Sequence, residues 1–71
     1  MTAKTRTELG RRIRVARIKR KLSQEQLALM IGVGRSYLAK IETGKRNPTI
    51  DFLEKVAIGL DVTLEELFKE L

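Results

Sequence analysis

The sequence predicts an all-α domain of five short helices, and three observations predict it. Nothing in its 71 residues alternates apolar and polar side chains as a half-buried strand does. Ser or Thr followed three residues later by Glu or Gln occurs at Thr5 and Glu8, Ser23 and Gln26, and Thr63 and Glu66. Each such pair can close the open amides of a helix start from both sides. The five glycines and one proline fall mostly between the apolar stripes, as helix joints do.

The first helix is expected from Thr5 to about Arg20, with Leu9, Ile13 and Ala16 on one stripe, leaving residues 1–4 as a disordered tail. Ser23 opens a second helix through Leu27, Ala28 and Ile31 that stops at Gly32. The third follows Gly34 and ends near Gly44, a residue suited to the left-handed position after a helix. Pro48 delays the fourth, which Thr49 caps and which sets Ile50, Leu53, Val56, Ala57 and Leu60 to one side. Thr63 starts the fifth, with Leu64, Leu67, Phe68 and Leu71. Residues 1–71 are read as one domain.

Composition narrows the function. A chain of 71 residues buries only about 60% of the surface it exposes when unfolded, so its stability is marginal. With no Cys and no His, disulfides are excluded and no metal site is expected. Tight helix packing and self-association are the stabilising devices left. No apolar run reaches the roughly 20 residues of a membrane span, and no signal peptide is apparent, so a cytoplasmic location without membrane contact is expected. The net charge of +6 is uneven: residues 1–21 carry nine basic side chains against Glu8, whereas residues 49–71 carry six acidic against two basic. A basic front and an acidic back suit a molecule that turns one side to a polyanion.

The third helix carries the sharpest signal. At about 100° per residue, Leu38 and Ile41 share one side with Tyr37 at its edge, while Arg35, Ser36, Ala39, Lys40 and Thr43 share the other. That outer face holds two positive charges, small residues and no acid, unlike a solvated helix that mixes signs. The second and third helices are joined only by residues around Gly32, Val33 and Gly34. This is the geometry of a helix-turn-helix, spanning about residues 24–43, whose second helix can enter the major groove of DNA.

The stretch LSQEQLALMIGVGRSYLAKIETGKRNPTIDFLEKVAIGLDVTLEELF resembles the Cro/repressor-type (Xre-like) helix-turn-helix family, and RRIRVAR before it is similar to that family's first helix. Within it, GRSYLAKIETGKRNP is similar to restriction–modification controller proteins. The resemblance implies a compact five-helix lambda-repressor-like domain that binds double-stranded DNA, regulates transcription, and needs no cofactor. It also implies that Arg17 and Glu42 pair, tying the first helix to the third. Two positions depart from the family pattern: Gly34 stands where a Ser, Thr or Asp cap is usual, and Asp61 where glycine is favoured.

Roles follow residue by residue. Arg35 at the helix start can bond guanine O6 and N7 together, and Ser36, Ala39 and Lys40 continue the base-reading face. Gln24 lies where open amides at a helix start can hold a phosphate. Tyr37, Thr43, Lys45, Arg46 and Asn47 are further phosphate candidates, though packing over the core is the stronger reading of Tyr37 and Asn47 also suits the turn before Pro48. One recognition helix gives thin discrimination in a genome, so a homodimer on a near-palindrome is expected. Ile58, Phe68 and Leu71 are assigned to its interface because the last two helices carry more apolar side chains than one core requires. Catalysis is excluded: the chain offers no His or Cys, little room for a pocket, and a Gly-Val-Gly joint without the Lys-Ser/Thr of a phosphate loop. The alternative is an antitoxin-type module that binds a partner protein through its last two helices and also represses its own operon.

Overall fold

The computed structural model describes residues 1–71 as five α-helices without a strand: α1 (Ala3–Lys19), α2 (Gln24–Ile31), α3 (Arg35–Glu42), α4 (Ile50–Leu60) and α5 (Leu64–Phe68). Every start but that of α3 has a side-chain cap. Ser23 and Thr63 form full capping boxes with Gln26 and Glu66, and Thr49 accepts the Phe52 amide. Asp61 ends α4 in the left-handed region, at φ 54°, where a short polar side chain stands in for glycine.

The first helix begins one turn earlier than expected. Thr2, not Thr5, is the cap, accepting the Thr5 amide at 3.1 Å, so Ala3 and Lys4 belong to α1 rather than to a tail. Glu8 is therefore not part of a capping box. Its carboxylate accepts from Arg11 at 2.9 and 2.8 Å and from Arg12 at 3.0 Å. Two guanidiniums outbid one amide, and those bonds, from Arg11 first and then Arg12, hold the Glu8 pKa down at about 2.

Leu9, Ile13, Leu27, Leu38, Ile41, Leu53, Val56 and Leu60 are fully enclosed, and Phe52 and Leu67 close the same cluster. Phe52 takes the place expected for Ile50, which lies in the first turn of α4 and is 63% exposed. Two glycines let helices approach closely, Gly10 against backbone and Gly59 against a side chain. A Cβ on Gly10 of α1 would strike the carbonyl oxygen of Ile41 and sit 2.9 Å from that of Glu42 in α3. One on Gly59 of α4 would lie 2.7 Å from the Ile31 side chain of α2. The short α5 is held by Arg12, which donates to the carbonyls of Leu67 and Lys69 at 3.2 and 2.6 Å, covering the open end of that helix. No helix is long and apolar enough to cross a membrane.

Candidate nucleic-acid interface

The pair α2–α3 turns at Gly32, whose φ of 72° is the left-handed conformation that lets Val33 donate back to the Ala28 carbonyl at 3.0 Å. Buried Leu27 and Ala28 on α2 and Leu38 and Ile41 on α3 fill the angle between the helices. The outer face of α3 stays free. Arg35, Ser36, Lys40 and Thr43 are exposed and Ala39 is half-buried, with no carboxylate among them. Gly34 contributes no side-chain cap, so the first-turn amides of α3 also remain open.

Glu42, the one acid of α3, faces inward and is 5% exposed. It accepts from Arg17 Nε at 2.7 Å and Nη2 at 3.0 Å, a two-pronged ion pair across 25 residues of sequence. The third arm of Arg17 reaches the Leu22 carbonyl at 2.7 Å. Gln24 completes the group by donating from Nε2 to Glu42 Oε1 at 3.1 Å. Its amide, expected on a phosphate, is thus turned into the protein, and only the open backbone amides at the start of α2 remain for an anion. Both carboxylate oxygens are satisfied, which is what allows a charge to be buried there.

The loop after α3 is built in the same economical way. The Thr43 hydroxyl donates back to the carbonyls of Ala39 and Lys40, closing the helix end and occupying the proton it would lend to a phosphate. Gly44 at φ 73° turns the chain out. Lys45, Arg46 and Asn47 are exposed beyond it. The Arg46 guanidinium lies 4.8 Å from the centre of the Tyr37 ring, which meets Phe52 edge-on at 5.0 Å. Tyr37 therefore packs over the core and steadies Arg46 at the same time.

Elsewhere on the surface, Ile58 is 82% exposed and Leu71 is 40% exposed, while Phe68 is half-buried against the core. Three contributors escaped the sequence reading. Arg6 donates to the Gly44 carbonyl at 3.2 Å and to Asn47 Oδ1 at 3.4 Å, and Arg12 closes α5. Gly10 makes room for α3. A glycine inside a helix was the available signal for the last, since it costs about 1 kcal/mol against alanine unless something needs the space.

The family described as Helix-turn-helix matches residues 13–67. SlrR of Bacillus subtilis, an HTH-type transcriptional regulator, is 49% identical over 61 residues, which is 84% of this chain but 40% of SlrR. The control protein C.MunI of a Mycoplasma is 47% identical over 53 residues, 75% of this chain and 72% of C.MunI. The crystal structure of the restriction-modification controller protein C.AhdI of Aeromonas hydrophila superposes with a TM-score of 0.85 at 40% identity, over 87% of this chain and 94% of that one.

Proposed function

The chain belongs to the helix-turn-helix family of DNA-binding transcriptional regulators, and from that premise we propose that it works as a homodimeric repressor or controller on a near-palindromic operator. The observation that carries this reading is the acid-free outer face of α3, fixed to the core by Leu38, Ile41 and the buried Glu42. Arg35, Ser36, Ala39 and Lys40 read base edges in the major groove. The open amides beside Gln24, with Lys45, Arg46 and Asn47, hold phosphates on either side. Arg17 and Glu42 touch no DNA but keep α3 at its angle.

Arg35→Ala is expected to relax preference at one base pair per half-site, at a cost of about 1–3 kcal/mol on the operator and little on random DNA. Lys45→Ala should weaken both alike and lower the salt slope by about 1. Footprinting upstream of the protein's own gene, then titrating single-base variants, measures both. Equal losses on operator and random DNA for Arg35→Ala would refute its role as reader.

The second subunit is assigned to the face of Ile58, Phe68 and Leu71, which sets the two reading helices about 34 Å apart on one side of the duplex. Because Ile58 is 82% exposed, Ile58→Asp leaves the fold intact and acts on assembly alone. Sedimentation should find wild type dimeric and the variant monomeric at tens of micromolar, with operator affinity down at least tenfold. A second reading, in which a different protein covers this same apolar face as in an antitoxin, predicts a wild-type monomer that co-purifies with that partner.

A further inference from the structure

Arg6 sits on α1, far along the chain from the loop that follows the recognition helix, yet its guanidinium is committed to that loop. Nε donates to the Gly44 carbonyl at 3.2 Å, and Nη1 donates to Asn47 Oδ1 at 3.4 Å and to the Met1 carbonyl at 3.1 Å. The loop and α1 also touch directly, for a Cβ on Gly44 would lie 2.8 Å from Thr7 Cα. Building on the DNA-binding reading above, we propose that Arg6 is a positioning residue for DNA, bracing the Gly44–Asn47 loop against α1 and turning the Asn47 amide so that its N–H donors face a backbone phosphate.

The chemistry of the pair dictates the orientation. A guanidinium has donors and no acceptor, so the amide atom beside it is the oxygen. With Oδ1 held by Arg6, Nδ2 points the other way, and Asn47 is exposed there to solvent. An asparagine free to flip presents oxygen or nitrogen with similar ease, and oxygen repels a phosphate. Arg6 removes that choice before DNA arrives.

Charge works in the same direction. All three acceptors of Arg6 are neutral. The nearest acid along α1, Glu8, is occupied by Arg11 and Arg12, and after Glu42 the next acid is Asp51. No carboxylate therefore competes for the Arg6 guanidinium, which is left to hold the loop.

A double-mutant cycle tests the proposal, with a fluorescent duplex from upstream of the protein's own gene and a random-sequence duplex of equal length as probes. Arg6→Gln should weaken binding to both about tenfold in the wild-type background, but less than about threefold when Asn47→Ala is already present. Equal factors in the two backgrounds overturn it, as does a fall of about 1 in salt slope for Arg6→Gln that persists without Asn47, the mark of a direct phosphate contact. Arg6→Lys retains the charge but cannot span Gly44 and Asn47 together, so it should fail to restore affinity; full rescue overturns the positioning role. Asn47→Asp still accepts from Arg6, so its melting temperature should hold while affinity for both duplexes drops about thirtyfold or more. Wild-type affinity in that variant overturns the donor role. If wild-type protein binds neither duplex at any salt, the DNA-binding reading itself falls and this proposal with it.

Discussion

Glu42→Ala is expected to destabilise the domain by about 3–5 kcal/mol, because it leaves the Arg17 guanidinium buried without its counter-charge. Arg17 is 8% exposed and cannot swing its head group into water without opening the seam between α1 and α3. A chain of 71 residues has roughly 4–10 kcal/mol of total stability, so much of the population would unfold on mild heating. Urea melting measures the loss, and DNA affinity should fall further than the unfolded fraction explains, since Gln24 loses its partner as well. Replacing both members, Arg17→Met with Glu42→Leu, should recover most of the stability, because two apolar side chains in that space need no solvation. A single Glu42→Ala variant that melts like wild type would show the pair to be idle.

Gly10→Ala should be nearly as damaging, and its sign is decided by two opposed terms. Alanine gains about 1 kcal/mol over glycine inside a helix. Against that, its methyl would strike the carbonyl oxygen of Ile41 and crowd that of Glu42, main-chain atoms with no rotamer to escape into. Overpacking of this kind costs about 1–3 kcal/mol when side chains can yield, and more when backbone must move. We expect a net loss of about 2 kcal/mol or more, with a fall in the thermal midpoint of over 10 °C. The contrast is Gly34→Ser, where a Cβ would meet open space and the hydroxyl would supply the cap that α3 lacks. That variant should melt about 2–5 °C higher. Unchanged stability in Gly10→Ala would mean that α1 can lift from α3 at little cost.

How far the sequence spoke depended on whether the partners were local. Ser23 with Gln26, Thr63 with Glu66, and Gly32 between two apolar stripes are signals contained within a few residues, and the helices they mark lie where expected. The same rule misplaced the start of α1, because Thr2 offers a cap hydroxyl one turn earlier and Glu8, the partner Thr5 needed, had two arginines competing for it. Phe52 displaced Ile50 because the two flank the stripe of Leu53, Val56, Ala57 and Leu60 on either side, and Phe52 is the one that meets Tyr37 over the core. Arg17 and Glu42 were paired through family resemblance, since their separation in sequence carries no periodic mark. Arg6 and Arg12 were invisible for a plainer reason: their principal partners are main-chain carbonyls 38 to 57 residues away, and every residue has a carbonyl. On the outer face of α3, by contrast, sign and size of side chain were enough, and Arg35, Ser36 and Lys40 stand in water as their spacing required.

The bare contact of α1 with the end of α3 has a bearing on how an operator is chosen. With carbonyl oxygens resting on Gly10 and no cushioning side chain between, α3 has little freedom to tilt on α1 to suit a poorly shaped site. On the homodimeric reading proposed above, accommodation falls to the nucleic acid, which must curve or narrow its minor groove between the half-sites until both halves are engaged. Central base pairs that no amino acid reaches would be selected for pliancy, and swapping stiff steps for flexible ones there should alter affinity as much as editing a contacted base.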